Sequence, residues 1–295
     1  MTLDQRIRND LGDLYNKLPI NAAVSLNNCC KTPSNSYPFS THGLPTHFTG
    51  DRDAETVLVM LNPGRDAIEA DLCLDCELKR FGIDIKKSLK KFIADYIYAR
   101  VNYGKIDKCR YDGFDIKTAL FLQPWKDCGI DFPKGFPDDK LSQIEAKENV
   151  LMQKLQLEIV PYSSRIFSTK ALSKHCICAF VPFLETVLDE IFRKGRKYVI
   201  FCSAFFEKLF NAIYGCNYKG IVVEGMDADA KRTQLNTKSG GGTKREFKCR
   251  PIQITYKGKT CKALIAHSFP IQGLSGDLMK QYGDFCHSEW VKFIP

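Results

Sequence analysis

The sequence predicts a single α/β domain with a mainly parallel central sheet, flanked by helices on both faces. Three observations carry this expectation. Runs such as Val57–Leu61 and Tyr198–Cys202 are apolar throughout, as strands covered on both faces are. Segments with helical spacing lie between them, the alternation that joins parallel strands by crossovers. At 295 residues and 44% hydrophobic content, the chain can bury the core such a sheet needs.

Leu3, Ile7, Leu11, Leu14, Tyr15 and Leu18 fall on one face of an amphipathic N-terminal helix. This stretch is charged from its fourth residue and lacks the apolar centre of a signal peptide. Residues 1–50 are read as a helix and extension packing on a domain spanning 51–295. Thr56–Leu61 is a buried strand, halted by Asn62-Pro63-Gly64. Asp84–Arg100 carries Ile85, Leu89, Phe92, Ile93, Tyr96 and Ile97 at helical spacing. Thr118–Trp125 reads as a second short apolar strand, ending in Gln123 before Pro124.

Ser142, followed three residues later by Glu145, has the form of a capping box opening a helix to Leu155. Residues 156–164 form a brief strand or extended turn stopped by Pro161. Phe180–Lys197 is a helix closed by basic residues and Gly195. Tyr198–Cys202 is a buried strand, and Ser203 caps the helix that follows to Gly215. Met226–Lys248 is polar and basic, contains Gly240-Gly241-Gly242, and reads as a loop or hairpin tip inserted at about 226–248. Two strands, Arg250–Lys257 and Lys262–His267, precede a loop and a helix from Ser275 to about Tyr282.

The net charge is +9, with a sequence pI of about 8.8. Such a balance suits a polyanionic partner, with counterion release supplying affinity. Thirteen cysteines in a reducing compartment are mostly small apolar packing residues. Cys73-x-x-Cys76 and Cys176-x-Cys178 have spacings a metal could use, but neither has a second pair or a His-x-x-x-His beside it. No apolar run is long enough to span a bilayer. These features set the expectation of a cytoplasmic, monomeric protein without a membrane anchor, cofactor or metal.

In sheets of this class ligands bind beyond the carboxyl ends of the strands. Unusual residues collect there: Asn62-Pro63-Gly64, Gln123-Pro124-Trp125, and His267-Ser268-Phe269-Pro270. Met60-Leu61-Asn62-Pro63-Gly64 resembles the first motif of the uracil-DNA glycosylase superfamily, nearest its mismatch-specific branch. The stretch from His267 to Leu274 resembles the second motif, and Leu120–Gln123 the strand whose terminal amide reads the flipped base. The resemblance runs from about Val57 to Phe285 with the segments in family order. It implies a monofunctional DNA glycosylase fold and activity.

Under that resemblance Asn62 orients water, and His267 donates a hydrogen bond to the departing base. Met60, Leu61 and Gln123 bind the base, with Phe81 or Trp125 stacking on it. Pro63, Gly64, Ser163, Ser164 and Ser268 hold DNA, and Ile271 or Leu274 fills the vacated stack. These residue types suit the chemistry independently. Hydrolysis of an N-glycosidic bond needs a placed water, donors for a developing oxyanion, and a pocket for an extruded nucleotide. Three departures fall where the base would sit: Met60 replaces a glycine, Gln123 an asparagine, and Ser268-Phe269 a proline-serine pair. They point to a non-standard or modified base, met in repair or in defence against modified viral DNA. The alternative is a nucleic-acid-binding protein that keeps the fold without catalysis.

Overall fold

A computed structural model of the chain describes residues 1–30, 39–61, 74–106, 113–125, 127–164, 174–215, 218, 220–236, 244–269 and 275–293. The architecture is α/β with one mixed sheet between two helical layers. Four parallel strands form its centre: β2 (Thr56–Met60), β3 (Leu155–Glu158), β4 (Tyr198–Cys202) and β8 (Lys259–Ala266). Their spatial order is β3-β2-β4-β8. Antiparallel strands extend both sides. β1 (Phe48–Gly50) pairs with β3, while β7 (Lys244–Tyr256) pairs with β8 and carries β5 (Ile221–Glu224) and β6 (Lys231–Asn236). The parallel arrangement therefore holds for the centre and not for the edges.

Alternation of side chains sorts the core into two layers. Val57 and Val59 of β2, with Leu155, Leu157, Val199, Phe201 and Ile265, face one layer. That layer is built from α1 (Leu3–Tyr15), α2 (Asn21–Cys30), α3 (Leu74–Phe81), α4 (Leu89–Val101), α9 (Val181–Ile191) and α10 (Phe205–Gly215). Leu58 and Met60, with Ile200, Cys202, Leu264 and Ala266, face the other. There lie α6 (Gly113–Leu122), α7 (Lys140–Gln153) and α11 (Gly276–Lys292). Short helices α5 (Tyr103–Ile106) and α8 (Lys174–Cys178) complete the set among the described residues.

Several expectations hold: the amphipathic N-terminal helix, the two fully buried strands, and the helix after Ser203, whose hydroxyl accepts from Phe205 N. Others are corrected. Thr118–Trp125 is no strand, because Gly113–Leu122 is helical. This helix is packed against α7 and α11 in the buried layer, so most of its surface is covered and its apolar run imitates a buried strand. Where it crosses α11, a Cβ on Gly283 would stand 2.1 Å from the Phe121 carbonyl oxygen. The cap of α7 is Asp139, accepting from Ser142 N at 2.8 Å, rather than Ser142 itself. The first helical turn after Asp84 starts later, at Leu89, capped by Ser88. The last helix runs well beyond Tyr282, to Lys292. Met226–Lys248 is mostly the β6–β7 hairpin, with Gly240–Gly242 outside the described residues.

Candidate functional site at the carboxyl edge of the parallel strands

The chain passes from β2 to β3 on one side, then to β4 on the other side of β2. The strand order reverses between β2 and β4, the point beyond whose carboxyl ends a crevice forms in doubly wound sheets. Pairing registers put Glu158 beside Met60 and Cys202 beside Ala266, so these four residues end the strands on the α6/α7/α11 face. Strand pairing continues one residue further, since Ile159 N donates to Met60 O and Val160 N to Leu61 O, each at 2.9 Å. Met60 is buried and Leu61 half-buried at this edge. Asn62, Pro63 and Gly64 follow directly in sequence but lie outside the described residues, as do Ile271 and Leu274.

His267 follows β8, two strand spacings or roughly 10 Å from the line of β2. Its side chain is 7% exposed. Nε2 stands 2.9 Å from Glu207 Oε2, yet no hydrogen bond forms, because the ring N–H direction misses the carboxylate. The contact is electrostatic, and the ring nitrogen keeps its hydrogen-bonding capacity. Burial lowers the His267 pKa; Glu207 opposes this, while Arg250 and Lys248 reinforce it. The imidazole is thus neutral at neutral pH. Glu207 Oε1 accepts from Arg250 Nη2 at 2.5 Å, and Arg250 Nη1 also donates to the carbonyls of Gly225, Met226 and Ala228.

The backbone around His267 is fixed from β7. His267 N donates to Lys248 O, and the Tyr282 hydroxyl, which donates to the same oxygen at 2.6 Å, accepts from Ser268 N. Ser268 Oγ stands 3.5 Å from Lys248 N, so this hydroxyl faces the hairpin base.

Five expected site residues lie elsewhere. Gln123 follows a helix rather than a strand; its Nε2 donates to Phe136 O, and its Oε1 is buried without a partner. Trp125, 1% exposed, packs on Tyr198 at the start of β4, so this segment has returned to the amino edge of the sheet. Neither residue joins His267. Phe81 packs against Tyr103 beneath the Arg100 guanidinium and is core, not a stacking surface. Ser163 and Ser164 are buried, without the exposure a phosphate contact requires.

Sequence reasoning misses three groups at the carboxyl edge. Glu207 sits in the first turn of α10, where a carboxylate is ordinary, and its partner Arg250 is 43 residues away. Glu158 ends β3 and is 6% exposed. Its Oε1 accepts from Gln156 Nε2 at 2.7 Å, and Gln156 Oε1 accepts from Lys154 Nζ at 2.7 Å. Glu158 Oε2 is buried and has no partner. Burial pushes the Glu158 carboxyl up to about 8, against the pull of Gln156, Lys154 and Arg100. Burial likewise brings the Lys154 ammonium down to about 8. The signal is present as Lys154-Leu155-Gln156-Leu157-Glu158, a polar alternation whose polar side faces inward.

Among the described residues no group of three or more His, Cys, Asp or Glu side chains is placed to hold a metal ion. Cys178 is disulfide-bonded and so does not serve as a ligand beside Cys176; Cys73 lies outside the described residues. No helix among them is long and apolar enough to cross a membrane. No protein-family model, curated protein or solved structure matches the chain.

Proposed function

We propose that this chain is a monofunctional DNA glycosylase. It flips a non-standard or modified base from DNA and hydrolyses its N-glycosidic bond, in repair or in defence against modified viral DNA. One observation carries the reading. The Asn62-Pro63-Gly64 sequence and His267 follow parallel strands whose carboxyl ends share one edge, with the strand-order reversal between β2 and β4.

A uracil-DNA glycosylase-like arrangement of roles suits these positions. Asn62 orients water toward C1′ but, as a neutral amide, takes up no proton. His267 is held neutral by burial, so as the Nε2–H tautomer it donates to the oxyanion developing on the base. Glu207 and Arg250 fix the electrostatic surroundings of that ring. On the β6–β7 hairpin Arg232, Lys244 and Lys248 share one face, where Glu246 pairs with Arg232 and Lys248, and Lys231 and Arg245 lie on the other face; these cations suit phosphates.

The test is production of alkali-labile abasic sites in DNAs carrying uracil, mismatched thymine or substituted cytosines. At least one substrate is expected to react, and Asn62→Ala and His267→Ala to slow it by about 10²–10³, the range for losing a positioned group. If every substrate is bound and none is cut, the chain is a binding protein that retains the fold, and the enzymatic reading fails.

A further inference from the structure

Four exposed lysines, Lys86, Lys87, Lys90 and Lys91, lead into α4 and open it. Asp95 meets two of them, Lys87 at 3.4 Å and Lys91 at 2.8 Å. Asp84 Oδ1 accepts from the backbone N of Lys86 rather than from its ammonium. Lys86 and Lys90 meet no carboxylate among the described residues. The cluster Arg193–Lys197 differs. Arg193 and Arg196 donate to the carbonyl of Arg52, Lys194 donates to that of Asp53, and Glu190 and Asp53 pair with the arginines. That charge is consumed in bracing the turn between β1 and β2, at the amino edge of the sheet.

The α4 lysines lie at the carboxyl edge. α1 begins beside the β1–β2 turn, where Asp4 pairs with Arg52, and its Asp10 reaches Tyr162 beyond the end of β3. Tyr15 is further along the same helix, and its ring lies 6.3 Å from that of Phe92 at the start of α4. After the other end of α4, Gly104 of α5 packs against Leu151, just before β3 begins. α4 thus runs against the parallel strands and starts past their carboxyl ends.

The hairpin reaches this edge from the opposite side. Cys249 pairs with Ala266, the last residue of β8, so Lys244–Lys248 extend past the carboxyl ends. α4 packs on the edge strand β1, and β7 is five strand spacings away, roughly 24 Å. The candidate site at β2 and β8 lies between the two basic surfaces.

We propose that the α4 lysines are a second contact for the phosphate backbone, and that one DNA duplex lies across the carboxyl edge, held by these lysines on one side of the candidate site and by the hairpin on the other. The identity of the partner rests on the glycosylase reading. At 3.4 Å per base pair a duplex covers that span in about seven base pairs, and DNA stays straight over far greater lengths. No large apolar side chain is exposed between Lys86 and Lys91, so the surface offers charge without the apolar face that seats a protein in a membrane.

The test is fluorescence anisotropy of the full chain with a labelled duplex of about twenty base pairs, at several salt concentrations. Lys86→Ser/Lys90→Ser should weaken binding and lower the slope of log affinity against log salt by up to about 1.8, that is about 0.9 for each phosphate no longer neutralised. Lys257→Ser/Lys259→Ser, an equal loss of charge on exposed residues at the amino edge, should leave the slope unchanged. Thermal midpoints of both variants should match wild type, since each replaced side chain is exposed. When Lys86→Ser/Lys90→Ser is combined with Lys244→Ser, the losses in log affinity should add on a one-to-one complex. An unchanged slope in Lys86→Ser/Lys90→Ser overturns the proposal while leaving the glycosylase reading intact. So does a wild-type complex with two duplexes per chain, or binding to phosphatidylserine vesicles that duplex DNA fails to displace. Failure of the wild-type chain to bind any duplex overturns both.

Discussion

At the residue scale, Glu158 places a pH-dependent cost on folding. Its carboxyl has an ordinary value of 4.5 and is raised to about 8 in the folded chain. A raised acid contributes stability that is complete below the unfolded value and lost as pH rises through the folded one. Between about pH 4.5 and 8 the folded state must hold a proton that the unfolded chain releases. Glu158→Gln removes this penalty. The variant should match wild type near pH 4.5 and gain on the order of a few kcal/mol by pH 8, read by urea denaturation across that range.

The same residue shows where legibility stops. Asn62 and His267 stand out because Asn-Pro-Gly and a histidine beside Ser-Phe-Pro are abnormal at strand ends. Glu158, Glu207 and Arg250 are ordinary in their local sequence. Their significance arises from burial and from a contact spanning 43 residues, and neither is written in a window of sequence.

At the element scale, β2 and β4 are legible because both faces are covered, which demands an uninterrupted apolar run. The same demand makes α6 illegible. Packed against α7 and α11, it too is covered on most sides, and its short apolar run Ala119–Leu122 has no period to separate helix from strand. Gln123 therefore carries the sequence signature of a strand end it does not occupy. The hairpin is a different case, since β6 is mostly exposed and only Leu235, with Phe247 and Cys249 of β7, turns a face to the core.

Under the glycosylase reading, replacing Arg232, Lys244 and Arg245 by serine should weaken DNA binding for all sequences alike. It should also reduce the slope of log affinity against log salt by roughly 0.9 for each phosphate no longer neutralised. Thermal stability should hold, because these side chains are exposed. Fluorescence anisotropy at several salt concentrations measures the slope, and an unchanged slope removes the hairpin from the interface.

For the whole molecule, a buried polar network ties the N-terminal helix to the sheet. His47 Nε2 lies 2.9 Å from Asp10 Oδ2, which also accepts from the Tyr162 hydroxyl at 2.8 Å, while His47 Nδ1 lies 2.8 Å from the Tyr96 hydroxyl. Burial lowers the His47 pKa from 6.5 despite Asp10. A histidine depressed in the fold contributes stability that is full above the unfolded value and lost as pH falls below it. Wild type should therefore lose more stability than His47→Gln as pH falls below 6.5, even though the variant starts lower. Parallel slopes in denaturation midpoints would show that His47 does not set the acid limit.

β7 is thirteen residues long, and its two ends do different work. Its first part forms the exposed ribbon with β6; its later part is locked into the sheet beside β8. At the junction, Lys248 O holds the backbone of His267 and the hydroxyl of Tyr282. One strand is thus continuous from the ribbon to the backbone that holds His267. Under the glycosylase reading, the surface that grips nucleic acid and the imidazole that acts on the base are built on this single strand, so a change in one reaches the other.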